Sequence, residues 1–259
     1  MTTTADSKAP QKRFTAQRRD RIVQLVQENG FLSAPDAAQL LGVSSETIRK
    51  DIIELDREGL IRRSRGGAMP VNVVRESPLV RKRTNYPEEK VAIARAAVDT
   101  IPAGSSVILD AGSTIYAAAK CIARRSDLCV FTNSIVAIDV LSESDNEVFI
   151  LGGRVRKSSL AIVGDWPKNE LASISADYAL LGADSVGSAN GPSTNSYEEV
   201  AIKRSIIASA KRKILLADKS KFQLTGSFKF CSWDTIDEVV TNEGADVGVM
   251  DEIVPITYV

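Results

Sequence analysis

The chain has 259 residues, 44% of them hydrophobic, with Lys and Arg balanced by Asp and Glu at 33 each and no histidine. Without imidazole, histidine-based general catalysis and every zinc arrangement that needs it are excluded, and neither a metal nor a cofactor is expected. The zero net charge hides an asymmetry: residues 1–83 carry 16 Lys and Arg against 10 Asp and Glu, and the remainder 17 against 23, a basic head on an acidic body. No secretory segment is evident and no apolar run reaches the roughly 18–20 residues of a membrane span, so a soluble, cytoplasmic protein with no membrane partner is expected.

Residues 1–14 are polar and expected to be disordered. A winged helix-turn-helix domain is expected over 15–70. Residues 15–27 read as its first helix, with Ile22, Val23, Leu25 and Val26 apolar and Asn29-Gly30 as the stop. Ser33 caps a second helix with Pro35 in its first turn, closed by Gly42. Ser44 caps a third helix and Gly59 ends it. Ile48, Ile52 and Leu55 fall at i, i+4 and i+7, one buried stripe that turns Glu46, Thr47, Lys50, Ile53 and Glu54 outward and leaves Ser45 and Arg49 on the flanks. Only Gly42-Val43-Ser44 joins the two helices, the short glycine-containing turn of a helix-turn-helix over about residues 32–51. A hairpin follows, with Arg62, Arg63 and Arg65 before a Gly66-Gly67 turn, as in a basic wing. A helix with small polar residues at its start and cations beyond can enter the DNA major groove. Ser45, Thr47, Arg49, Lys50, Arg62, Arg63 and Arg65 are therefore the candidate DNA contacts.

Residues 18–69 resemble the DNA-binding domain of the DeoR family of bacterial transcription regulators. The stretch that carries the resemblance is Val43-Ser44-Ser45-Glu46-Thr47-Ile48-Arg49-Lys50-Asp51, followed by Leu55, Gly59-Leu60 and Arg63-Ser64-Arg65-Gly66-Gly67-Ala68. Lys50 stands where the family usually has a second Arg, and Arg65 where it has His or Tyr. Lysine is a point charge rather than a bidentate fork, so position 50 suits a phosphate better than a base edge.

Residues 71–87 lose periodicity and turn basic (Arg75, Arg81, Lys82, Arg83), which reads as a linker. Over 88–259 the chain alternates helix and strand. Helices are expected over 88–100, 115–122, 135–141 and 198–210, and strands over 106–109, 128–131, 148–151, 178–181 and 214–216. Continuous apolar runs mean strands covered on both faces, hence a doubly wound, mostly parallel α/β domain. Cys121, Cys129 and Cys231 form no CxxC pair and read as buried small hydrophobes.

Each strand breaks into small polar residues: Asp110-Ala111-Gly112-Ser113-Thr114, Thr132-Asn133-Ser134, Gly152-Gly153-Arg154, Gly182-Ala183-Asp184 and Ala217-Asp218-Lys219-Ser220-Lys221. Strand carboxyl ends share a crevice in open α/β sheets, so these loops should converge. Gly112, Ser113 and Thr114 precede a helix and can hold an anion at its N-terminus, as can Thr132, Asn133 and Ser134. Asp110, Asp184 or Glu198 could take sugar hydroxyls, with Arg154, Lys203 or Lys221 supplying positive charge.

These loops extend the resemblance over about residues 18–242. The body looks like the sugar-phosphate-sensing domain of DeoR regulators, similar in fold to ribose-5-phosphate isomerase. Asp110 to Thr114 matches the family's Asp-x-Gly-Thr-Thr loop, with Ser113 as a departure. Thr132-Asn133-Ser134 and Gly152-Gly153 match directly. Glu198-Glu199 with Lys203 fits the start of the late helix, and Asp218-Lys219-Ser220-Lys221-Phe222 fits Asp-x-Ser-Lys-Phe. The isomerases follow Gly-Ala-Asp with a second acid and a catalytic lysine, whereas residues 185–197 contain no Asp, Glu or Lys. The resemblance thus implies a non-enzymatic transcriptional repressor of carbohydrate-metabolism genes. It would bind a double-stranded DNA operator as a homodimer or homotetramer, because one winged domain buries little surface, and would respond to a phosphorylated sugar effector. The alternative is a sugar-phosphate isomerase with an accessory DNA-binding domain.

Overall fold

The computed structural model describes residues 8–29, 31–58, 60–70, 78–187, 191–222, 224 and 226–259. The chain divides into a head, Met1–Val73, and a body, Val74–Val259.

In the head, α1 (Lys8–Asn29) begins well before the expected start and makes the supposedly disordered residues from Lys8 onward helical. Lys, Ala, Gln and Arg dominate that stretch and favour helix, and Pro10 falls in the first turn, where proline is tolerated. Residues 1–7 and the expected stop signals Gly30 and Gly59 lie outside the described residues. β1 (Leu32–Ser33) leads into α2 (Ala34–Leu41), whose Asp36 N–H donates to the Ser33 hydroxyl at 3.1 Å. Gly42 ends it at φ +64, a left-handed conformation that glycine adopts without strain. α3 (Ser45–Arg57) is capped by Ser44, which accepts the Thr47 N–H at 3.2 Å. Ile48, Ile52 and Leu55 are buried against Ile22, Val26, Ala37 and Ile61. Asp51 shares their buried stripe, where its carboxylate accepts Arg18 Nε (2.6 Å) and Arg19 Nε (3.0 Å).

The wing is β2 (Ile61–Ser64) paired antiparallel with β3 (Gly67–Pro70), Ser64 facing Gly67. The turn is therefore Arg65-Gly66, with Gly66 at φ +87, rather than the expected Gly66-Gly67. Gly67 lies within β3 opposite Ser33, where a Cβ would come within 2.2 Å of the Leu32 carbonyl oxygen. It is glycine because two strands meet there, not because the chain turns.

The body runs α4 (Leu79–Thr84), α5 (Pro87–Asp99), β4 (Ser106–Leu109), α6 (Ser113–Ile122), β5 (Cys129–Thr132), α7 (Ile135–Leu141) and β6 (Glu147–Ile150). An antiparallel hairpin follows, β7 (Arg154–Arg156) with β8 (Ala161–Val163), then α8 (Asp165–Leu171), β9 (Ala176–Gly182), β10 (Ser193–Thr194), α9 (Tyr197–Ala208) and β11 (Ala210–Leu216). β12 (Phe228–Lys229) pairs with β10, and β13 (Glu238–Thr241) and β14 (Ile256–Tyr258) complete the chain. Among the described residues the main sheet is parallel throughout, in the order β14-β13-β11-β9-β4-β5-β6.

Val107 and Leu109 pack with Ile93 and Ile115 on one face, and Ile108 with Ile202, Ile206 and Leu215 on the other. That double coverage is why the strands read as apolar runs. β11 starts four residues before its apolar run because Lys211 and Arg212 lie exposed beyond the covering helices, and such runs report only a strand's buried part. The stretch expected as linker contains α4, while its residues 71–77 lie outside the described residues. Cys121, Cys129 and Cys231 are free thiols and only half-buried, not fully inside as expected. Among the described residues no helix is long and apolar enough to cross a membrane.

Candidate functional site

On the head, Arg49, Lys50, Arg62, Arg63 and Arg65 are exposed. Arg49 lies 3.7 Å from Glu46, a loose i,i+3 pair, and the other four side chains make no ion pair among the described residues. Arg18 and Arg19 are instead committed to Asp51, and the Arg63 N–H donates to Asp56 at 2.9 Å, which fixes the wing against α3. Ser45 and Thr47 are half-buried, and the Thr47 hydroxyl lies 2.9 Å from that of Ser44. Cations on the outer part of α3 and on the wing, with their neighbours' acids otherwise engaged, form a surface suited to a polyanionic duplex.

In the body, strand order reverses between β4 and β9. From β4 the chain moves outward through β5 and β6, then returns to β9 on the other side and continues through β11 to β14. Loops leaving adjacent strands on opposite sides of such a point open a crevice at their carboxyl ends. The crevice is lined by Gly112, Ser113 and Thr114 after β4, Asp184 after β9, Lys203 on α9 and Lys221 after β11. It also takes Lys82, Thr194 and Glu199, none of which was among the sequence candidates.

Two of the expected residues lie at its base. Asp110 is buried, and its Oδ2 accepts both the Gly182 N–H at 3.1 Å and the Lys203 ammonium. Lys203 also donates to the Gly182 carbonyl at 2.8 Å. Burial alone would lower the Lys203 pKa, but Asp110 and Glu199 outweigh it and hold the ammonium charged. Asp218 is fully buried, 2.9 Å from Lys90, and accepts the Ser220 N–H at 3.1 Å.

Most of the remaining candidates lie away from the crevice because they follow β5 and β6, on the outer side of the reversal. Thr132 donates its hydroxyl to the Leu109 carbonyl at 2.8 Å, Asn133 donates to the Ile162 carbonyl at 3.2 Å, and Ser134 caps α7. Gly152 donates its N–H to Glu170 at 2.8 Å, and Gly153, at φ +148, would place a Cβ 2.9 Å from Ile162 and Pro167. Arg154 and Glu198 form an exposed ion pair with each other. The acid that reaches the crevice is the next residue, Glu199, held by Arg156 at 3.3 Å and with the Thr194 hydroxyl 3.1 Å away.

Within the crevice, Asp184 accepts from Lys82 (2.5 Å), the Asn195 N–H (2.8 Å) and the Thr194 hydroxyl (3.1 Å). Burial would raise its pKa, yet Lys82 and the Asn195 amide hold it at about 2. Burial pushes the Glu199 carboxyl up. Thr194 has one hydroxyl proton for two carboxylates, so the pair has unused capacity to accept from a polyol. Facing them, α6 starts at Gly112, φ +151, with no side-chain cap. Ser113 and Thr114 are buried residues, and their hydroxyls make no hydrogen bond among the described residues. Lys221 has no ion pair either, and burial lowers its pKa, with Asp218 and Asp184 only partly offsetting that. Uncapped amides, two unpartnered hydroxyls and an unpaired ammonium converge where an anion would satisfy all of them.

The comparisons with known proteins cover both parts of the chain. The family model for the DeoR-like helix-turn-helix domain matches residues 18–72, and that for the DeoR C terminal sensor domain matches residues 85–243. The HTH-type transcriptional regulator GlpR of Haloferax volcanii is 34% identical over 239 residues, 92% of this chain and 94% of that protein. The glycerol-3-phosphate regulon repressor of Escherichia coli K12 is 31% identical over 235 residues, covering 90% and 93%. The repressor GlcR of Bacillus subtilis is 33% identical over 223 residues, covering 85% and 86%. A ribose 5-phosphate isomerase A from Methanocaldococcus jannaschii superposes with a TM-score of 0.40 at 17% identity, over 53% of this chain and 55% of that one. With a matched reading head, a matched body and relatives aligned almost end to end, the chain belongs to the DeoR family of DNA-binding transcriptional regulators.

Proposed function

We propose that the protein represses genes of sugar or polyol metabolism and that a phosphorylated metabolite in the body's crevice controls its hold on the operator. The phosphate would sit on the α6 amides, the Ser113 and Thr114 hydroxyls and Lys221. The metabolite's hydroxyls would go to Asp184 and Glu199. The Lys221 ammonium carries the reading: it is half-buried with no ion pair among the described residues, Asp218 and Asp184 offset its desolvation only in part, and a bound phosphate would supply the missing charge. The name of the glycerol-3-phosphate regulon repressor points to a metabolite of this class. Two heads on one operator require at least a homodimer, with a homotetramer as the larger form.

The test is release of the full-length protein from operator DNA, titrated with glycerol 3-phosphate, glucose 6-phosphate and ribose 5-phosphate. Lys221→Met is expected to raise the midpoint by roughly ten- to a hundredfold, the loss of one charge-assisted hydrogen bond at about 1.5–3 kcal/mol. Because burial depresses the Lys221 pKa and phosphate favours its charged form, the wild-type midpoint should rise as pH climbs through that lysine's range. An identical midpoint in both proteins would remove Lys221 from the site.

No catalysis is expected. The second acid and the catalytic lysine that the isomerases carry after Gly-Ala-Asp have no counterpart, because residues 185–197 contain no Asp, Glu or Lys. General acid–base groups contribute about 10²–10⁴-fold each, so their absence should leave binding without turnover. Aldose–ketose interconversion assayed on ribose 5-phosphate and glucose 6-phosphate should stay at background. A rate near ~1 s⁻¹ would make the isomerase reading the stronger one.

A further inference from the structure

The six-residue helix α4 is too short to hold itself together in water, so its docking contacts decide whether it exists. Three of its described contacts are made with elements around the crevice. Leu79 is buried, and its N–H donates to the Ser158 carbonyl, in the turn between β7 and β8, at 2.8 Å. Lys82 reaches Asp184, after β9, at 2.5 Å. The Arg83 guanidinium stacks 3.7 Å from the ring centre of Tyr116 on α6. Pro78 caps the helix without a side-chain hydrogen bond.

With α4 docked, the crevice is a cavity of about 40 Å³. That admits water but falls far short of the roughly 300 Å³ and more of small-molecule sites. A metabolite needs the lining to give way, and α4 supplies Leu79 and Lys82 of that lining. Lys82 is also the cation that occupies Asp184, the carboxylate best placed to accept hydroxyls.

We propose that Lys82 is the residue through which occupancy is read. It latches α4 onto Asp184 while the crevice is empty, a ligand's hydroxyls displace it, and α4 undocks. α4 is the first described element after the wing strand β3 in the chain, so the body's hold nearest the head in sequence is the one released. The identity of the displacing ligand rests on the reading above, but the latch can be tested without any metabolite.

In full-length protein, Lys82→Met is expected to speed hydrogen exchange of the 79–84 amides at least tenfold. It should also shift metabolite-free operator affinity at least fivefold. Arg83→Ala, which leaves Asp184 untouched, should move both readouts in the same direction by less, and Lys82→Arg should restore the wild-type values. Faster exchange with unchanged operator affinity would overturn the proposal, as would unchanged exchange in both loosening variants. Binding of ribose 5-phosphate or glycerol 3-phosphate is measured separately by calorimetry. Its absence in wild type would sink the metabolite reading and leave the latch result standing.

Discussion

Operator affinity of the full-length protein is expected to fall by about 10³- to 10⁶-fold between 50 and 200 mM salt, a log–log slope of roughly −5 to −10. The size follows from which cations remain uncommitted. Arg18 and Arg19 are spent on the buried Asp51, which leaves Arg49, Lys50, Arg62, Arg63 and Arg65 on each head for phosphates and base edges. Two heads that each neutralise three to five phosphates give that slope. Arg49→Ala, on the helix expected in the major groove, should weaken binding to the operator more than to random duplex, by about 1–3 kcal/mol if Arg49 reads a guanine. Arg63→Ala on the wing should weaken both alike and flatten the slope by about one per head. Fluorescence anisotropy across a salt series on operator and scrambled duplex separates these outcomes. Binding indifferent to salt would defeat the DNA assignment.

The head was readable in sequence because its boundaries are set by local chemistry. Ser33 and Ser44 cap where a serine hydroxyl can accept the N–H three residues on, and Gly42 closes α2 where only a residue without Cβ is unstrained. What local reading missed depends on distant contacts. Asp51 lies three residues from Ile48 on the inward stripe, so a helical wheel already marks it as misplaced. Only the packing of α1 shows that Arg18 and Arg19 resolve the conflict. Gly67 looks like half of a turn until β1 is seen to press against it.

In the body, the apolar runs announced strands covered on both faces, but nothing in a run fixes its place in the sheet. Five polar loops looked equivalent, and the reversal between β4 and β9 made them unequal. It put the loops after β4, β9 and β11 on the crevice and turned those after β5 and β6 to structural work, pinning the β7–β8 hairpin, α7 and α8. Glu199 rather than Glu198 faces inward, a choice of one helical step that the sequence pattern leaves open. Lys82 read as linker because six residues are too few to display a helical period, and a basic stretch resembles any solvated tether.

The largest effect on stability is expected from Lys203. It is buried on α9 beneath the crevice, bonded to Asp110 and to the Gly182 carbonyl, so it ties α9 to the ends of β4 and β9 at the point of strand reversal. Lys203→Met replaces the ammonium with an apolar group of similar length and leaves the Asp110 carboxylate buried with only the Gly182 N–H. Breaking one side of a buried ion pair costs about 3–5 kcal/mol, because the surviving charge has lost the partner that offset its desolvation. Asp110→Asn should cost less, because Glu199 still faces the ammonium and the Gly182 carbonyl still accepts from it. Lys203→Met with Asp110→Asn removes both charges and should recover much of the loss, since replacing a whole buried pair is often nearly neutral. Trp166 and Trp233, the chain's two tryptophans, are both in the body, so urea unfolding followed by tryptophan fluorescence reports this unit and not the head. Single variants within about 1 kcal/mol of wild type, or a double variant as unstable as the two singles added, would show that the two charges are solvated and uncoupled. The hydroxyl-binding role once open to Asp110 would then return to it, because a carboxylate free of Lys203 could turn toward the ligand.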